Sequence, residues 1–441
     1  MKKSFVAALL AATAYMAITV FVANQAGGAI DSSLKRISSG SPLYRFTPQQ
    51  SRIGIFSSSY TYTASFLSQP GGPEALSLLV TFDVAHGPIP FAAGSLSPCA
   101  ALVNGRFAMA EGTPKAVRDA LDQIPELFRT TLRAEAGLGG GLDLRLSVPP
   151  LFRDPPLRQE FQGATVSVST DMDFSRQVTK VDIPLINLQD NDYTFLLKGL
   201  TIRSDAVRLL PYVWHGQSEL KLAGLSLSTK DPSNTQASTL ENLELRGKTT
   251  LHAPTVDYAL SLSGATAINK SAPLPFSVAL SLFNLDVEGF SQLNDLLQRE
   301  YGGNEAVRPY VDEVRKTYDM LLVRAPRVEF ELKALPGTQN EVALKGEASA
   351  PALKSVPPTP QEALAQLRAK ADLSAQEPGL VILVDTFSSP QEKESQAQQK
   401  QLQTALQQLT EKGSITRDGT RISSSAVWDG SALLVNGKPL Q

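Results

Sequence analysis

The sequence predicts an α+β, β-dominated protein: one large, mostly antiparallel, meandering sheet with a few packing helices, preceded by one N-terminal transmembrane helix. Three observations carry that expectation. An uncharged, mostly apolar run fills Ser4–Ala23, many later stretches alternate apolar with polar residues, and no regular strand-then-helix rhythm separates those stretches.

The apolar run follows Met1-Lys2-Lys3. A hydrocarbon core about 30 Å thick needs roughly 20 helical residues at about 1.5 Å each, which Ser4–Ala23 supplies. A cleavable leader would have a shorter apolar region and a small-residue exit, whereas Phe21 or Asn24 would stand three places before the cut. An uncleaved anchor is therefore expected over 4–23, with residues 1–3 as a cytoplasmic tip and everything after about 23 across the membrane. Residues 24–44, rich in Gly, Ser and Ala, read as a stalk.

Period two then takes over. Thr165–Ser169, Tyr193–Leu197, Leu225–Ser228 and Val328–Leu332 each read as a half-buried strand, and short breaks such as Gly199, Gly224 and Gly264 favour antiparallel meander pairing. The phrase Leu220–Leu227 has echoes at Phe195–Leu200 and Leu243–Gly247 without one fixed period, which reads as similar strands in one sheet. Residues 45–355 are thus expected to form a β-rich body, with helical segments near 114–136 and 291–322. Residues 356–441 are expected to add C-terminal helices and a β-hairpin packing on the body. Thr359-Pro360-Gln361-Glu362 and Ser389-Pro390-Gln391-Glu392 fit capping boxes with proline at the first helical position. Asp429-Gly430 supplies a type I′ turn dipeptide and Asn436-Gly437 a further turn.

Composition narrows the function classes. The chain has 441 residues, 42% apolar and 19% charged, enough for one large or two moderate cores. A net charge of −2 without a Lys/Arg-dense stretch leaves no footprint for nucleic acid. Cys99 is the only cysteine, so no intramolecular disulfide forms, and it reads as a small buried apolar group. His86, His215 and His252 lie outside metal-ligand spacing of one another, and no cofactor is expected.

The phosphate-binding and catalytic motifs fail on inspection. Gly247-Lys248-Thr249 has Asn242 where a P-loop needs glycine, Gly137–Gly141 is followed by Leu142 where a dinucleotide loop needs glycine, and Ser32-Ser33-Leu34-Lys35 lacks companion motifs. One local constellation remains. His86-Gly87-Pro88-Ile89-Pro90 ends a strand in a double-proline turn, where a histidine serves either as acid, base or ligand, or as a structural tie to a backbone carbonyl.

Together, Lys2-Lys3 with its single apolar run, Gly54-Ile55-Phe56-Ser57-Ser58, His86-Gly87-Pro88-Ile89-Pro90, Ala325-Pro326-Arg327-Val328 and Val435-Asn436-Gly437-Lys438 resemble the YdgA family of Gram-negative bacteria. Relatives often carry a basic residue just before Gly54, where this chain has Ile53. The resemblance implies a single-pass inner-membrane protein with a large periplasmic domain, and it brings no catalytic residues with it. The expected function is a non-enzymatic binding or scaffold protein of the envelope, anchored by its N-terminal helix, whose extended sheet contacts an envelope protein or a lipid. The alternative is a periplasmic hydrolase or other enzyme acting on an envelope polymer through carboxylates from separate strands. A homo-oligomer stays open as a further partner.

Overall fold

The alternation seen in the sequence becomes extended strand from Tyr44 onward. The computed structural model describes residues 43–68, 74–153, 158–171, 173–189, 192–210, 213–229, 237–268, 271–300, 324–353, 360–387 and 396–439, with isolated positions between 16 and 38 and between 316 and 321. The chain divides into two units. The first is built mainly from Met1–Arg153 and Glu160–Pro184, the second mainly from Leu185–Gln298 and Glu305–Gln441.

In the first unit, β1 (Tyr44–Ile53), β2 (Ser57–Leu67), β3 (Glu74–His86), β4 (Ala101–Met109), β5 (Thr131–Ala136) and β6 (Gly141–Val148) follow one another. Each pairs antiparallel with the next. After the short β7 (Leu151–Arg153) and β8 (Arg158–Phe161), β9 (Ala164–Asp171) pairs with β6, and β10 (Arg176–Gln189) pairs with β9. Every second residue of β2 is buried, from Ser58 through Tyr60 and Tyr62 to Ala64, as expected where one face of a pleated sheet is covered.

The cover comes from the N-terminus. All described positions between 16 and 38 are helical. Val22, Ala26 and Ile30 pack with the buried Leu34 against Tyr60, Tyr62, Phe82 and Val84. Residues four apart share one helical face, so this is a single apolar stripe. Tyr62 Oη donates to Asp31 Oδ1 at 2.6 Å, and burial, followed by that carboxylate, pushes the phenol well above its ordinary value. Apart from Val22, at the end of the expected anchor, the helical residues making these contacts fall within 24–44, where composition suggests a stalk: the small residues between the larger apolar ones hide the stripe. Among the described residues no helix is long and apolar enough to cross a membrane. Most of the expected anchor at 4–23 lies outside the described residues.

The second unit is a longer meander. It contains β11 (Tyr193–Leu210), β12 (Val213–Thr229), β13 (Ala237–His252), β14 (Thr255–Ile268), β15 (Leu274–Asp286), β16 (Arg327–Ala334), β17 (Val342–Ser349) and β18 (Arg368–Gln376), each antiparallel to the next. Past β19 (Thr416–Asp418), β18 pairs with β20 (Arg421–Trp428), which leads into β21 (Leu433–Val435) and β22 (Lys438–Pro439). The echoing phrases of the sequence are neighbours here, on β11, β12 and β13.

Among the described residues, helices pack on this sheet at two places. Near β14 and β15, Val256, Leu285 and Leu321 form a buried cluster that Phe290 and Leu293 of α2 (Val287–Glu300) join, while α1 (Lys115–Asp122) belongs to the first unit. After α3 (Pro360–Gln366), α4 (Glu377–Phe387) and α5 (Gln396–Glu411) bring Leu380, Leu402 and Leu406 onto Ala375, Ile415 and Ile422.

Three local expectations need correcting. The helical segment near 114–136 ends early: a 3₁₀ turn occupies Pro125–Arg129, and Thr131–Ala136 is β5. Thr131–Ala136 also alternates, and pairing with strands on both sides decides for extended backbone. The helix expected from Ser291 begins at Val287, because Asp286 Oδ1 accepts the Gly289 N–H at 3.0 Å and so caps it. Asp429-Gly430 is not a type I′ turn: only Gly430 has positive φ, and Asp429 Oδ1 accepts the N–H groups of Ser431 and Ala432 at 2.8 and 2.9 Å. Type I′ geometry appears instead at Asn436-Gly437, with φ of 50° and 78°. The second capping box at 389–392 lies outside the described residues.

Candidate functional site

The His-Gly-Pro turn is sealed inside the first unit. His86 is 1% exposed, and its Nε2 shares a 2.9 Å hydrogen bond with the hydroxyl of buried Ser58. Its backbone N–H donates to Phe56 O at 2.9 Å, Gly87 N–H to Ala100 O at 2.7 Å, and Cys99 N–H to Pro88 O at 3.0 Å. A Cβ at Gly87 would stand 1.7 Å from Cys99 O, so only glycine lets the two backbones approach. Pro88 takes part in this turn through its carbonyl, and Pro90 is fully buried. Burial holds the His86 imidazole below its ordinary pKa and pushes the buried Cys99 thiol up.

Ser58 and His86 have the atoms of a nucleophile and base, but neither is open to a substrate. The third member of such a set is also misplaced. Asp83, three residues before His86, lies on the opposite face of β3, where it accepts from Ser59 Oγ at 2.9 Å and pairs with Arg106.

The second unit offers the accessible chemistry. Strand register sets Ile202, Leu220, Leu245, Leu262, Val278, Leu332, Leu344 and Leu373 directly beside one another, an aliphatic row eight strands wide. At about 4.8 Å per strand the row runs roughly 34 Å. None of its members is buried, and Leu332 is 40% exposed. A neighbouring row on the same face passes through Leu260, Leu280 and Phe330, with Phe330 over Gly346.

The other face of these strands is charged and self-neutralised. Lys221 Nζ meets Glu219 and Glu244 at 3.0 and 3.2 Å, and Arg246 meets Glu244 at 2.7 Å. Farther along, Glu331 takes Lys345 at 2.8 Å and Lys333 at 3.0 Å, and Asp372 takes Lys370 at 2.7 Å. These lysines hold the Glu331 and Asp372 carboxyls below their ordinary range. A shallow groove of about 390 Å³ lies here, lined by Glu329, Glu331, Lys345, Glu347, Lys370 and Asp372 among others. Exposed pairs of this kind contribute little to stability and keep a face wetted.

One face is therefore aliphatic and the other charged. The alternation of each strand was legible in the sequence, but the in-register row was not, because only pairing places Leu245 beside Leu262. Among the described residues, no group of three or more His, Cys, Asp or Glu could hold a metal ion.

The chain belongs to the family described as "Bacterial protein of unknown function (DUF945)", which matches residues 1–441 and includes YdgA. No curated protein and no solved structure matches it.

Proposed function

We propose that this DUF945 protein is a YdgA-like, single-pass inner-membrane protein whose periplasmic sheet binds lipid acyl chains without catalysing a reaction. The observation that carries this reading is the aliphatic row from Ile202 to Leu373, eight strands in register with every member half-buried or exposed. An acyl chain spans about half of a hydrocarbon core roughly 30 Å thick, so one chain fits within the row. Its attraction needs no polar partner, since apolar area removed from water is favourable by about 25 cal/mol per Å². A peptide strand is a poorer occupant, because the strands of the row from β12 to β18 are paired on both sides and offer no free backbone edge. The apolar run behind Lys2 and Lys3, taken over Ser4–Ile18 upstream of the packed Thr19 and Val22, supplies the anchor and orientation.

Native mass spectrometry of the full-length protein, extracted from its own membrane in mild detergent, tests this reading. A retained mass matching a lipid is expected, and Leu245→Glu with Leu262→Glu is expected to remove it. A bare chain, or a double variant that keeps the same lipid, contradicts it.

A second reading rests on one observation. Glu329 and Glu347 are register partners across β16 and β17 and both line the charged groove, and a glycan hydrolase needs two carboxylates flanking one site. Turnover of an envelope glycan that disappears in Glu347→Gln would favour that enzyme over the lipid-binding protein. Arg327, 2.8 Å from Glu329, already occupies one of the two carboxylates.

A further inference from the structure

Six exposed apolar side chains of the first unit gather at one end, while others, such as Tyr44, Leu127 and Phe152, stand singly elsewhere. The β1–β2 turn (53–56), the β3–β4 connection (87–100) and the β5–β6 turn (137–140) all lie at that end, because Ser57 pairs with Ala85, His86 with Ala101, and Ala101 with Ala136. Ile53, Ile55, Phe56, Phe91, Leu96 and Leu138 project from these three connections, each between 47% and 77% exposed. Not one residue in the three is charged. The connection Ala110–Thr130 at the far end of the sheet carries seven charged residues in contrast. The next connection along, between β9 and β10, follows Asp171 and holds Asp173, which marks the limit of the patch. An apolar patch gathered on one tip marks a contact with another apolar phase.

What that phase is follows from the N-terminal segment. Asp31 lies at Tyr62, Gly27 at the Tyr60 ring, and Thr19 Oγ1 donates to Gly87 O at 3.1 Å. Read toward the N-terminus, the chain thus climbs β2 and arrives at the same tip. Upstream of Thr19 the uncharged run Ser4–Ile18 has fifteen residues, about 22 Å as a helix against a core of about 30 Å. A span that short is met by local thinning of the bilayer, which leaves the tip beside Thr19 at the level of the lipid surface.

We propose that these three turns form a membrane-contact tip, seated in the lipid interface around the anchor, so that the first unit lies directly on the bilayer. The inference rests on the anchor proposed above. Aromatic and aliphatic side chains from uncharged turns enter the headgroup boundary without burying a charge.

The test uses the full chain reconstituted into vesicles of phosphatidylethanolamine and phosphatidylglycerol. Nitroxide labels are placed at Phe91→Cys, Leu96→Cys and Leu138→Cys, with Lys115→Cys at the far end of the same sheet as reference; Cys99 is buried and stays unlabelled. Flotation with the vesicles reports the anchor, and collision with oxygen against a water-soluble nickel chelate reports depth. Flotation together with an oxygen-to-nickel ratio several-fold higher at the tip labels than at 115 is the expected result. Flotation with tip labels as wet as the reference overturns the tip alone. Protein that fails to float overturns the anchor and the tip with it.

Discussion

In the first unit the apolar face of β2 and β3 lies under the N-terminal helical segment, which leaves Tyr60, Tyr62 and Val84 buried. In the second unit Leu220, Leu245 and Leu262 stand on a comparable face and remain half-buried, although their strands are longer. The difference lies in the cover. Helical residues contribute to two clusters of the second unit, around Val256 with Leu285 and around Ala375 with Ile422, while the row from Ile202 to Leu373 has no buried member. Period-two patterning therefore produces an amphipathic sheet in both units, and whether it becomes a core or a surface depends on where helices fall.

The largest effect separates the two faces by truncation. Phe82→Ala should cost about 3–5 kcal/mol in the first unit, whereas Leu332→Ala, on the open face, should cost about 1 kcal/mol or less. Chemical denaturation followed by near-ultraviolet signal reads both, and similar losses would erase the distinction.

Next in size is Gly87→Ala. A methyl group 1.7 Å from a backbone carbonyl cannot be accommodated by a side-chain rotation, so a loss of about 2–3 kcal/mol is expected. The denaturation midpoint of this variant should fall well below wild type, and an unchanged midpoint would show that the turn is not tightly built.

A smaller effect is pH-dependent and belongs to the closed face. The folded His86 imidazole lies below its ordinary value because of burial, and that ordinary value is about 6.5. As pH falls from about 6.5 toward the folded value, the unfolded chain gains a proton the folded chain refuses, so stability declines over that window and levels off below it. His86→Gln should flatten this part of the midpoint-against-pH curve. Parallel curves for the two proteins would place the titration elsewhere.

Least affected is the charged face. Lys345→Ala removes an exposed partner of Glu331 and should leave both the denaturation midpoint and any lipid retention unchanged. Loss of lipid in this variant would move the binding surface to the wrong side of the sheet.

The sequence was most readable where one rule acted alone. Alternation located the long strands and their meander order, and Asn436-Gly437 marked a turn correctly. It misled where two periods overlapped. Leu132 continues a helical spacing from Phe128 but also sits in an alternating Thr131–Ala136, and neighbouring strands decided for β5. The helix Glu377–Phe387 left no helical signal, since Pro378, Gly379 and several β-branched residues read as extended. There Gly379 passes so close to Asn340 O that a Cβ would stand 2.0 Å away, and Leu380 joins the cluster around Ala375, a tertiary constraint that local propensity does not contain. The helical stripe Val22, Ala26, Ile30 was present at regular spacing but hidden by the small and polar residues between, Ala23 to Gln25 and Gly27 to Ala29. At the candidate face, the composition of each strand was visible and the row was not, because register is a property of pairs.

The most direct test of an open face in the second unit and a closed one in the first is photo-crosslinking of the full-length protein in membrane vesicles with a diazirine-bearing fatty-acyl phospholipid, followed by peptide mapping. Adducts are expected on β12–β17, at residues flanking Leu245, Leu262 and Leu332, and none on the helix-covered strands β2 and β3. Adducts spread equally over both sheets, or absent from β12–β17, would contradict it.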